Sequence, residues 1–129
     1  MYQLIEEGEE WLASQIVDIA IHIHKQLGPG LLESVYKKCF YYELREREIN
    51  FINEAHVPII YKEMEIDSGL RLDCLVEDRI IIEFKAQEKF NSLWKAQLLS
   101  YMKLSDKRLG FLINFHVPLM KDGISRIIN

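Results

Sequence analysis

The segment Arg79-Ile80-Ile81-Ile82-Glu83-Phe84-Lys85 sets an acid and a base two residues apart at the end of an apolar run. In a strand, Glu83 and Lys85 share one face while Ile82 and Phe84 pack on the other. The preceding segment "SGLRLDCLVE" also alternates and reads as a strand over 70–76, with Leu70, Leu72 and Cys74 on one side and Arg71, Asp73 and Leu75 on the other. If Glu77-Asp78-Arg79 closes a hairpin, Asp73 falls opposite Glu83, with β-carbons about 4.5–5.5 Å apart. Two carboxylates that close repel unless a proton or a cation lies between them. An oxygen-only pair suits Mg2+ or Mn2+. Such an ion beside Lys85 could hydrolyse a phosphodiester, by activating the phosphoryl group and the attacking water while the ammonium offsets growing charge. The bland alternative is a solvated acid–lysine neighbourhood making weak ion pairs, and a one-residue slip in register would weaken the convergence.

Other residues could join this chemistry. Gln97 and Tyr101, four apart on a helix, share a face. They could hydrogen-bond a scissile phosphate or the lysine, or be no more than a surface amide beside a core-edge aromatic. Glu33 lies in the first turn after "GPG", three residues before Tyr36. It is either a further metal ligand or an acid placed favourably at a helix N-terminus. Asn114 interrupts the apolar "FLINF" and serves either the site or a neighbouring loop. Lys37, Lys38, Arg45 and Arg47, interleaved with Tyr41 and Tyr42, read as a solvated helix face that could touch a phosphate backbone. His22 and His24 are two apart and do not form a zinc pair, and no Gly-rich phosphate loop is present.

The elements that must position these residues follow from periodicity. Residues 9–27 carry a helical apolar stripe that ends at Gly28-Pro29-Gly30, and a second helix runs over Leu31–Glu46. "HVPIIYKEMEI" holds short β-prone runs, followed by strands over 70–76 and 80–86. A helix capped at Asn91 or Ser92 reaches about Lys103, then come the strand "LGFLINFHVPL" and a turn with a short final strand. The apolar runs 80–82 and 109–113 predict central strands covered on both faces, joined as parallel neighbours by a right-handed crossover. The expected fold is α/β (α+β mixed), a single domain over 1–129 with one curved mixed sheet flanked by helices.

A formal charge of −4, from 16 basic and 20 acidic residues, argues against strong non-specific attraction to nucleic acid or to an anionic membrane. Cys39 and Cys74 form neither a disulfide framework nor a CxxC pair and are expected as reduced thiols. The acidic first twenty residues lack a signal-peptide layout. No apolar run approaches the roughly 18 residues of a membrane span. These features predict a cytoplasmic protein with no membrane partner.

Taken together, Gly30-x-x-Glu33-x-x-Tyr36, Asp73, Glu83-Phe84-Lys85 and Gln97-x-x-x-Tyr101 resemble the GxxExxY proteins of the PD-(D/E)XK nuclease-like superfamily. The likeness runs from about Ile16 to Ile128 and includes "GPGLLESVY", "RLDCLVED", "AQLLSYMKL" and "LINFHVPLMKDG". It implies a restriction-endonuclease-like core, with Asp73, Glu83 and Glu33 as ligands of Mg2+ or Mn2+. It further implies Lys85 as the catalytic lysine and Gln97 and Tyr101 as accessory residues. A metal-dependent nuclease acting on nucleic acid, with a homodimer as the expected assembly, is the function it implies; a non-catalytic nucleic-acid- or protein-binding domain on the same scaffold is the alternative. Two positions depart from the usual pattern: Leu72, not proline, precedes Asp73, and Trp94 stands where many relatives carry histidine.

Overall fold

A computed structural model of the chain describes residues 7–67 and 69–129. Two helices open it, α1 (Glu7–Leu27) and α2 (Glu33–Glu46). Strands β1 (Phe51–His56), β2 (Ile59–Tyr61), β3 (Met64–Ile66), β4 (Arg71–Val76) and β5 (Ile80–Lys85) follow. Helix α3 (Leu93–Ser105) then leads to β6 (Leu109–Asn114), a 3-10 turn at Met120–Gly123 and β7 (Ile124–Ile128). Five strands form one sheet in the order β1-β4-β5-β6-β7, and β2 pairs with β3 as a separate hairpin. Strands β5 and β6 are parallel neighbours joined through α3, as their apolar runs predicted, and every other pair is antiparallel.

Both faces of the sheet are covered. On one face α1 and α2 pack Ile16, Ile19, Phe40 and Leu44 over Val76, Ile80, Ile82, Phe84, Phe111 and Ile113. On the other, α3 packs Trp94, Leu98 and Met102 over Leu75, Ile81 and Leu112. Gly110 makes the second contact close: a β-carbon there would lie 2.8 Å from the Met102 sulfur. The expectation of a curved sheet is corrected. The strand order is linear, with β1 and β7 as separate edges. Apolar layers on both faces leave neither side toward which the sheet would gain by curling.

Strand β1 went unread in the sequence because only Ala55 of "FINEAH" is buried. An edge strand with so little burial carries no alternating apolar pattern to read. The α1–α2 turn, by contrast, is built from its motif. Gly28 (φ +70°) and Gly30 (φ +101°) take backbone conformations that disfavour side chains. The buried Tyr36 hydroxyl donates to Gly28 O at 2.6 Å and accepts from Leu31 N–H at 3.2 Å. Its ring stacks on Phe115 at 4.4 Å, which ties the turn to the end of β6. Tyr36→Phe should therefore destabilise the fold by about 1–3 kcal/mol, because both backbone groups lose a buried partner. Urea denaturation measures this, and an unchanged midpoint would show the turn to be held by other contacts.

Candidate active site

The β4–β5 hairpin pairs Cys74 with Ile82, Leu75 with Ile81 and Val76 with Ile80. The same register continued by one residue sets Asp73 opposite Glu83. At that position the backbone ladder gives way to side chains. The Asp73 N–H donates to Glu83 Oε1 at 3.1 Å, and the Phe84 N–H donates to Asp73 Oδ2 at 2.9 Å. The Asp73 carbonyl accepts the Tyr41 hydroxyl at 2.7 Å. Strand β1 is irregular at the same level: Asn53 pairs with Cys74 and Ala55 with Leu72, while Glu54 between them has φ +53°. Glu54, Asp73 and Glu83 thus occupy one row across three adjacent strands.

This irregularity overturns the simple alternation expected for residues 70–76. Cys74 belongs to the core under α1 and α2, whereas Leu72, with Leu70 packed beside it, belongs to the core under α3. The facing changes across Asp73 because its backbone N–H and C=O are taken by side chains. A strand whose peptide groups leave the ladder is free to rotate out of the pleat.

The electrostatics are those of a pair of acids out of water. Glu83 is 9% exposed. Burial, and then the charge of Asp73, push its carboxyl up to about 8 from an ordinary value of 4.5, with Lys85 opposing. The Tyr101 phenol is raised by partial burial and by Glu83 and Asp73, and lowered by its hydrogen bond with Gln97. The helical pair thus reaches the field of the acids. Tyr41 and Cys74 are raised, first by burial and then by neighbouring negative charge.

Glu33 meets Asp73 through a shared cation. The Lys37 ammonium stands between, 3.0 Å from Asp73 Oδ1, 3.3 Å from Glu33 Oε2 and 3.6 Å from Glu54 Oε1. Burial would depress that ammonium, but the hydrogen bond to Asp73 and the charges of Asp73 and Glu33 outweigh burial and raise it above an ordinary lysine. Among the described residues no group of three or more His, Cys, Asp or Glu side chains is arranged to hold a metal ion. Asp73 and Glu83 alone still fit one Mg2+ or Mn2+, since Mg2+ is commonly held by one or two carboxylates plus water and phosphate oxygens. Lys85 lies with its ammonium 5.3 Å from the centre of the Trp94 ring, a cation–π contact. Asn114 serves the loop. It accepts from Gln87 N–H at 3.1 Å and from His116 N–H at 3.2 Å, and donates to Gln87 O at 2.8 Å.

Lys37, Glu54 and Tyr41 were missed as site residues. A signal for two of them was present: Glu33, Lys37 and Tyr41 recur every four residues, a stripe along one face of α2. Glu54 could not be found without β1.

An α/β sheet carrying Asp on one strand and Glu-x-Lys on the next defines a nuclease-like scaffold. The chain belongs to the PD-(D/E)XK nuclease superfamily, whose sequence model matches residues 10–127. No curated protein and no solved structure matches the chain. No helix among the described residues is long and apolar enough to cross a membrane.

The raised Glu83 carboxyl has a pH consequence. Its proton is held more tightly in the folded chain than in the unfolded one, so the associated stability is complete below about pH 4.5 and is lost as pH rises through about 8. In chelator-treated protein the melting temperature should fall over that window relative to Glu83→Gln, by on the order of 5 °C. Parallel melting curves for the two proteins would rule out a buried, proton-sharing Glu83.

Proposed function

We propose that this protein is a divalent-metal-dependent nuclease that hydrolyses phosphodiester bonds in nucleic acid. The observation that carries the reading is the reciprocal setting of Asp73 and Glu83, each carboxylate held by the other's strand and Glu83 buried. An acid pair so held calls for a proton or a cation between its members. Mg2+ or Mn2+ at that pair supplies Lewis-acid activation of a phosphoryl oxygen and of water.

The chain's own residues would do the rest. Tyr41 fixes the Asp73 backbone and so the direction of its carboxylate. Lys85, two residues after Glu83, would leave the Trp94 ring to orient the attacking water and offset charge on the phosphoryl oxygens. Gln97 and Tyr101, hydrogen-bonded to each other beside the acids, would bind the scissile phosphate. Glu33 acts through Lys37 in this reading and not as a ligand. Gly30 and Tyr36 shape the α1–α2 turn that presents Glu33, and the Gly30-x-x-Glu33-x-x-Tyr36 spacing supports reading the chain as one of the GxxExxY proteins. A two-fold dimer of this single-domain chain would give the footprint that duplex recognition needs, commonly about 1,000–2,500 Å² of protein surface.

A second reading, a non-catalytic nucleic-acid- or protein-binding domain, is favoured by one observation: Lys85 rests on Trp94, where it can serve packing alone. Cleavage of labelled DNA and RNA oligonucleotides in Mg2+ or Mn2+ separates the two. Wild type should cut, and Glu83→Ala and Lys85→Ala should each lose about 100-fold or more while remaining folded at the assay temperature by circular dichroism. Equal cutting by both variants would sink the nuclease mechanism. Metal-independent binding of the same strands without cleavage would select the second reading.

A further inference from the structure

Lys37 is the feature of this site that the acid pair and Lys85 do not explain. Helix α2 delivers Glu33, Lys37 and Tyr41 from successive turns of one face, and all three bear on Asp73: Tyr41 on its carbonyl, Lys37 on its carboxylate, Glu33 on Lys37. The Lys37 side chain is only 19% exposed, and its ammonium is within 3.6 Å of three carboxylates. A lysine on a solvated helix face would extend into water; this one is turned inward among acids.

We propose that Lys37 is a resident cation occupying the outer half of the acidic pocket, so that the site takes one divalent ion where its four carboxylates would otherwise draw two. The inference rests on the reading that Asp73 and Glu83 bind a divalent ion. Paired metal ions in phosphodiester-cleaving sites stand about 3.5–4 Å apart and share a bridging ligand. Asp73 is the residue that two ions would have to share: Oδ2 accepts from the Phe84 N–H of β5, and Oδ1 already holds the Lys37 ammonium at 3.0 Å. A second ion drawn by Glu33, Glu54 and Asp73 Oδ1 would need the place of that ammonium. Charge counting agrees. Four carboxylates and the ammoniums of Lys37 and Lys85 leave a formal −2, which one divalent ion cancels and two would overshoot.

The difference from a two-ion site is chemical. An ammonium donates hydrogen bonds and positive charge but has no open coordination position with which to activate water. Lys37 is therefore a positioning residue, which orients Asp73 and limits ion number, and its test is stoichiometry before activity.

Isothermal titration of Mn2+ into wild type, Lys37→Met, Lys37→Arg and Glu83→Ala should give one ion, two ions, one ion and none per chain. Thermal melting with and without Mn2+ should show a larger ion-induced rise for Lys37→Met than for wild type. If Lys37→Met does not fold, Lys37→Gln, which removes the charge but keeps a hydrogen-bond donor for Asp73 and all four carboxylates, is titrated in its place and should also bind two ions. Two ions on wild type, or one ion with unchanged affinity on the folded Lys37→Met or Lys37→Gln protein, overturns the inference and leaves the nuclease reading standing. No ion on wild type and none on the Lys37 variants overturns the metal-site reading and this inference together. No ion on wild type with binding restored by Lys37→Met supports the inference in a stronger form, with the ammonium excluding metal altogether.

Discussion

The mutual capture of Asp73 and Glu83 is the constraint around which this sheet is arranged. Each carboxylate accepts a backbone N–H from the other strand, at 3.1 and 2.9 Å, at the level where regular pairing of β4 and β5 stops. Below that level the two strands are a buried hairpin of Cys74, Leu75, Val76, Ile80, Ile81 and Ile82, all at most 8% exposed. Above it the strand turns over, and Leu72 joins the opposite core. Acids that would be intolerable inside the ladder thus satisfy the peptide groups that the ladder releases.

The surrounding elements follow from this opening. Helix α2 is held on one side by the α1–α2 turn, through Tyr36, and sends Lys37 and Tyr41 to Asp73. Helix α3, buried along Trp94, Leu98 and Met102, brings Tyr101 and Gln97 to the other side. The site is reached from both faces of one sheet, so its geometry depends on both cores. Within it, charge is balanced locally. Lys37 neutralises the outer acids, burial and Asp73 favour a proton on Glu83, and Lys85 waits over an aromatic ring.

Much of this was legible beforehand because it is local or periodic. The helical stripes of α1 and α2, the "GPG" break, the existence of β4 and the apolar runs of β5 and β6 are local patterns in the chain. A three-residue connection at 77–79, if it closed a hairpin, put Asp73 opposite Glu83, and the observed register of β4 and β5 is the one that closure requires. The Glu-x-Lys pair needed only the pleat to share a face. Strand β1 escaped because an edge strand with one buried residue has no period to detect, and the facing change at Asp73 escaped because alternation assumes an unbroken ladder.

The sequence by itself thus determined most of the elements, the apolar runs that become the parallel β5–β6 pair, and the candidate acids and lysine, because each is carried by a local pattern of residue types. Only the tertiary structure decided which charges meet. It placed Lys37 between Glu33 and Asp73, brought Glu54 into their row, laid Lys85 on Trp94 and gave Asn114 to the loop at Gln87. Charged side chains are long and their partners lie on other elements. Their pairing follows from how helices dock on the sheet and how much water the docking removes, and neither quantity is encoded at any fixed spacing along the chain.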